Sequence, residues 1–142
     1  MSNLSAAEPT PTELAHQTMP FSAHIGMTVS EAGSDRVVAH LDWAPQRCTI
    51  GGAMHGGALM ALADAAGAVV AFYNLPKGAT GTTTVSSATN FLRGVRNGTV
   101  TATSTCLHKG RTTIVVDTEL RDDAGKLVAR VTQTQAVLVG PL

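Results

Sequence analysis

Charge of either sign is scarce in this sequence. Asp, Glu, Lys and Arg make up 14% of the 142 residues, ten basic against ten acidic, for a formal net charge of zero. No basic field exists to hold nucleic acid, so that class of partner is excluded. Cysteine is scarcer: Cys48 and Cys106 are the only two, far apart and in no CxxC pair. A disulfide framework is therefore not expected, and a reducing cytoplasm suits the chain. Also missing are a positively charged, apolar leader, a phosphate-cradling GxGxxG or P-loop, internal repeats and low-complexity stretches. His16, His24, His40 and His108 are scattered without metal-ligand spacing, so no metal and no redox cofactor is expected.

What is present is apolar. The hydrophobic share is 44%, which suits a globular protein. A chain of this length fits one domain and buries roughly two-thirds of its unfolded surface, enough to fold without staples. The low charge also hints that part of the surface is hidden between subunits. One apolar run, residues 56–75, has the length of a membrane span but contains Asp64. A carboxylate at mid-bilayer costs about 2.5–3.5 kcal/mol, so the run reads as a buried helix and no membrane partner is expected.

Residues 1–11 hold two of the six prolines and read as a loose tail. Residues 12–18 suit a short helix with Thr12 as N-cap, which gives an N-terminal tail over 1–19 and a folded domain over 20–142. Strands are expected over 27–31 and 36–43, joined by Ala32-Gly33-Ser34-Asp35, which has the residues of a tight turn. A loop over 44–54 follows, broken by Pro45 and Gly51-Gly52. Residues 55–74, rich in Ala, Leu and Met, form the one long helical candidate, stopped by Pro76. Four Thr- and Val-rich segments, 82–92, 99–108, 112–121 and 126–139, read as a four-strand meander. The fold class is then α+β. A helix of about 20 residues, about 30 Å long, lies in a curved antiparallel sheet expected to bury nearly all of it. Its many Gly and Ala residues leave room for close approach.

Between Arg47 and Lys77 the only charged residue is Asp64, in the most apolar stretch of the chain. Burying an unpaired carboxylate is costly, so it must be paired, hydrogen-bonded or open to a cavity. Two readings stand: a solvated helix face, or a general base or nucleophile in a pocket. His55-Gly56-Gly57 lies where the helix begins. Unpaired N–H groups and the positive end of the helix dipole gather there, and glycine lets a ligand approach the backbone. Such a site can stabilise an oxyanion, although a flexible helix start explains HGG equally well. Gly56 and Asp64 are eight residues apart, about 12 Å along one helix. One carbonyl carbon cannot touch both on the same chain, so a shared reaction requires at least a dimer.

The segment from Gly52 through Met54-His55-Gly56-Gly57 to Leu62-Ala63-Asp64, with the Asp nine residues after the His, resembles the signature of hot-dog-fold acyl-CoA thioesterases. The nearest pattern is the phenylacetate-pathway (PaaI-like) type, related to one branch of the 4-hydroxybenzoyl-CoA thioesterases. Phe91-Leu92-Arg93 and the later His108-Lys109-Gly110-Arg111 resemble further motifs of that family, in order and at matching spacing over roughly residues 20–139. The resemblance implies that Gly56 donates its N–H to the thioester carbonyl and that His55 orients the site. Asp64 of a facing subunit then activates water or attacks the carbonyl, and Thr84 holds the water. It also implies acyl-CoA as substrate, coenzyme A entering only as part of it, and a homo-oligomer that is a dimer or a dimer of dimers.

Two positions depart from the pattern: Thr49 stands where the family has Asn or Gln, a second polarising donor, and Gly94 replaces the Pro after FLR. Arg93, Arg96, Lys109 and Arg111 are candidates for the coenzyme A phosphates, or else solvated strand ends. Cys48 as a thiol nucleophile lacks an orienting third group. Phe72, Tyr73 and Trp43 are expected to pack in the core more readily than to line a pocket. The expected reaction is hydrolysis of an aryl- or medium-chain acyl-CoA. Its rivals are a hot-dog enoyl-CoA hydratase or dehydratase and a non-catalytic acyl-CoA binding module.

Overall fold

The computed structural model describes residues 7–142; the expected tail over residues 1–6 lies outside them. Two short helices open the chain, α1 (Pro11–Thr18) and α2 (Pro20–Ile25), the second of which was not anticipated. Thr10, not Thr12, is the N-cap of α1. Its hydroxyl accepts from the Glu13 N–H at 3.2 Å while the Glu13 carboxylate accepts from the Thr10 N–H at 2.8 Å, a reciprocal capping box with Pro11 at the first helical position. Thr12 instead ties the helix down: its hydroxyl donates to the Val29 carbonyl and accepts from the Val29 N–H.

Strands β1 (Thr28–Ala32) and β2 (Val37–Asp42) follow, then α3 (Gly56–Phe72), β3 (Gly81–Phe91), β4 (Thr99–Lys109), β5 (Thr113–Arg121) and β6 (Leu127–Leu138). All pairings are antiparallel, in one six-stranded sheet of order β1-β2-β4-β5-β6-β3. The expected four-strand meander is therefore only three strands long. β3 does not pair with β4; it lies beyond β6 at the sheet edge. The reason is α3, which packs against β2 through β6 and so carries the chain across the sheet, while β2 takes the place beside β4.

The buried residues of α3 are Leu59, Leu62, Ala63, Ala66, Gly67, Val70 and Ala71. Spacings of three and four put them on one stripe, against Val100, Ile114, Val116, Leu120, Val128 and Val131 of the sheet. Each large side chain in this core contributes about 1.5–3 kcal/mol by burial. The sheet covers that stripe and not the whole helix. Met60, Asp64 and Phe72 remain exposed on the other face, against the expectation of near-complete burial. α3 has 17 residues, and among the described residues no helix is long and apolar enough to cross a membrane.

Candidate active site

The start of α3 is held by a folded loop. Cys48 pairs with Met54, and the loop turns through Gly51 and Gly52 at φ 82° and 74°, the left-handed region that favours glycine. Arg47 clamps its base: Nε donates to the Ile25 carbonyl at 2.6 Å and Nη1 to the Asp42 carbonyl at 3.0 Å, while the Arg47 carbonyl accepts from the His55 N–H at 2.8 Å. The Cys48 thiol donates inside this loop, to the Ala44 carbonyl.

His55 is the N-cap of α3, and its Nδ1 accepts from the Gly57 N–H at 2.8 Å. That bond assigns the ring proton to Nε2, on an exposed edge. It also satisfies Gly57, and the His55 carbonyl takes the amides of Ala58 and Leu59. Gly56 is left with the one N–H of this first turn that has no partner among the described residues. The Phe91 ring lies over it, and a Cβ at Gly56 would stand 3.0 Å from that ring. A cavity of about 470 Å³ opens here, lined by Met54, Gly56, Leu59, Phe91, Leu92 and Arg93 among others.

Asp64, two turns along, is exposed on one side and anchored on the other. Its Oδ1 accepts from Gln133 Nε2 at 2.8 Å and from the Thr84 hydroxyl at 3.2 Å. Thr84 in turn accepts from Gln135 Nε2 at 2.8 Å. A β-bulge at Val85 arranges this. Thr84 stands opposite Gln135, but Ser87, three residues on, stands opposite Gln133. Cross-strand partners share a face, so the bulge moves the helix-facing phase of β3 from even to odd positions.

Asp64 and Thr84 are thus brought together, and so are His55, Gly56 and Arg93. The two groups are not: α3 is unbroken between Gly56 and Asp64, which keeps them about 12 Å apart. Thr49 is exposed and makes no side-chain cap bond. The four candidate cations divide. Arg93 and Arg96 precede β4, whereas Lys109 and Arg111 flank its far end, and 11 residues of strand separate the pairs by about 33 Å. None of the four is in an ion pair among the described residues. Phe72 and Tyr73 are exposed, not packed in the core, and line a second, apolar groove of about 480 Å³ with Leu14, Met19, Ala68 and Val69. Trp43 packs against the core, and its Nε1 donates to the Gly52 carbonyl.

Gln133 and Gln135 went unnoticed in the sequence. The structure supplies the missing phase: Val131, Gln133, Gln135 and Val137 face inward on β6, where two amides interrupt an otherwise apolar series.

Comparison with known proteins agrees with this geometry. The family model described as the Thioesterase superfamily matches residues 51–129. A candidate esterase of Mycobacterium tuberculosis is 31% identical over 115 residues, covering 80% of this chain and 82% of that one. Its solved structure superposes with a TM-score of 0.82 at 28% identity, over 87% of this chain and 99% of that one. A thioesterase structure from Haemophilus influenzae gives 0.84 at 27% identity, over 94% and 93%. The PaaI protein of E. coli, 23% identical over 89% of this chain and 90% of its own, shares the fold at a TM-score of 0.80. The sheet and its single long helix are the α+β hot-dog architecture, and the chain belongs to the thioesterase superfamily as a thioester hydrolase.

Proposed function

We propose that the chain hydrolyses an acyl-CoA thioester to the free acid and coenzyme A, at a site built from two copies of itself. The observation that carries this reading is the arrangement along α3: an N–H at Gly56 without a partner among the described residues and an anchored, outward-facing carboxylate at Asp64, too far apart to serve one carbonyl within a chain. The thioester oxygen accepts from Gly56 of one copy, at the positive end of the helix dipole. Asp64 of the other takes a proton from water as it adds to the carbonyl carbon, or attacks that carbon directly to give an anhydride that water then opens. Either way the C–S bond breaks and the thiolate leaves with a proton as coenzyme A. His55 holds the helix start in register. The Thr84 hydroxyl donates its hydrogen bond to Asp64, and its remaining lone pair is placed to accept from the attacking water. Thr49 stands in the loop before Gly56, where a hydroxyl donor replaces the longer amide of the family pattern.

Arg93 and Arg96, beside the Gly56 cavity, suit the coenzyme A phosphates of the same site. Lys109 and Arg111 suit them only when contributed by another copy. The groove carrying Phe72 begins at Ala68, one helical turn beyond Asp64 on the same face. Its lining has no Asp, Glu, Lys, Arg or His, which fits an uncharged aryl or medium-chain acyl group. The solvent-facing side of α3 and the open edge of β3 are the surfaces a second copy would cover, and the free cysteines suit a cytoplasmic setting.

Thiol release from a panel of acyl-CoAs, followed with a disulfide reagent, tests the reaction. Asp64→Asn should lower turnover by about 10²-fold or more without changing the circular dichroism spectrum. Near-normal turnover in that variant would remove Asp64 from the mechanism. Binding without thiol release would point to a binding module, and hydration of an enoyl-CoA without thiol release to a hydratase.

A further inference from the structure

We infer that Gln133 and Gln135 are positioning residues that tether Oδ1 of Asp64, so that Oδ2 is the oxygen that reacts. This rests on the reading of Asp64 as the working carboxylate. Both glutamines are buried, at 0% and 1% exposure, in the inward phase of β6. Each has a buried Oε1 with no hydrogen-bond partner among the described residues. A strand that needed only packing would carry valine there, as it does at Val131 and Val137. The unpaired oxygens are what remains when each amide N–H is directed elsewhere.

The direction of the bonds is fixed by chemistry. An amide nitrogen only donates, so Thr84 Oγ1 accepts from Gln135 and its own proton is free for Asp64. Gln133 donates to the same oxygen. Two donors therefore converge on Oδ1, and among the described residues none reaches Oδ2. With one oxygen held from the sheet side, the other is turned to the exposed face of α3. The helix is shaped to admit this tether. A Cβ at Gly67 would lie 1.8 Å from Gln133 Oε1, so glycine stands mid-helix, against its helix propensity, where the amide passes.

The test compares steady-state constants with octanoyl-CoA or phenylacetyl-CoA, whichever the wild-type protein turns over faster. Gln133→Met keeps the length and removes the donor; it should lower kcat about 10- to 100-fold, as small misplacements of a reacting group do, with KM within about twofold. Thr84→Val should behave similarly, and Thr84→Ser should retain kcat. Gln135→Met should lower kcat about tenfold alone and have no effect in a Thr84→Val background, because it acts through that hydroxyl. A glutamine with a purely structural role would not lose its effect in that background. Thr84 is exposed, so its variants report even where a buried glutamine variant fails to fold.

Wild-type kcat in both glutamine variants, or full multiplication of the Gln135→Met and Thr84→Val effects, would overturn the tether. So would equal loss in Thr84→Ser and Thr84→Val. If Asp64→Asn is inactive while these hold, the tether alone is wrong. If Asp64→Asn is active, the reading of the site falls with it.

Discussion

Proline is the substitution that isolates the Gly56 amide. It removes the N–H and nothing else from the first position of α3, where proline is well tolerated. The preceding residue, His55, already has φ −62° and ψ 135°, the extended conformation proline demands before it. The Phe91 ring must turn aside for the pyrrolidine. Gly56→Pro should retain the melting profile and lose about 10²- to 10³-fold in kcat, the usual loss for one oxyanion donor; stopped-flow or steady-state thiol release measures it, and unchanged kcat would place the carbonyl elsewhere. This residue and Asp64 were legible in the sequence because each is an anomaly in its surroundings: glycines at a helix start, and a single charge in an apolar run. The glutamines were not, since a Thr- and Gln-containing strand shows alternation without saying which phase faces the core. Thr12 was misassigned as a cap because Thr10 and Thr12 are equally good capping residues, and only the reach of Glu13 decides between them.

The element with the largest effect on the site is the bulged strand β3. Thr84 and Phe91 are an odd number of residues apart, so on a regular strand they would face opposite sides of the sheet. In this protein both meet α3, Thr84 at Asp64 and Phe91 at Gly56. The extra residue that permits this is Val85, 62% exposed. Deleting Val85 should restore regular alternation with Thr84 still opposite Gln135 and Ser87 still opposite Gln133, so that both contacts with α3 survive. We expect strand content to persist by circular dichroism and kcat to stay within about threefold of wild type; a fall of about 10²-fold would show that the bulge itself, and not the pairing of Thr84 and Ser87, aims the site. Nothing in residues 82–92 marks a bulge, because a run of Thr and Ser has no apolar alternation to interrupt. The position of β3 was also hidden. Consecutive strands pair more often than not, and the rule fails here because a helix crossing the sheet delivers the chain to the opposite edge.

At the scale of the whole molecule, one sheet and one helix leave a face unfinished. β3 is an edge strand and is solvent-facing over most of its length, with Val85, Phe91 and Leu92 exposed, as are Met60 and Asp64 of the helix. Edges and apolar patches of this kind are covered in working proteins. If the cover is a second copy, active centres obey a counting rule. In a hybrid of an Asp64→Asn chain with a Gly56→Pro chain, one centre carries both defects and the other carries none. Equal mixing with free exchange should restore about a quarter of wild-type turnover, since about half the dimers are hybrids and each has one sound centre. No recovery after exchange verified by mass would exclude a shared centre. The α+β class was readable before the structure, and the proposal of two copies rests on measuring one helix against one carbonyl.

The helix that separates amide from carboxylate also links rate to concentration. On the two-copy reading each chain alone holds two halves of different centres, so the rate per chain should be constant at high protein concentration and fall in proportion to concentration once the copies part. A dilution series with light scattering would trace that bend, and a straight line through it would mean that a lone chain finds some other way to bridge its own gap.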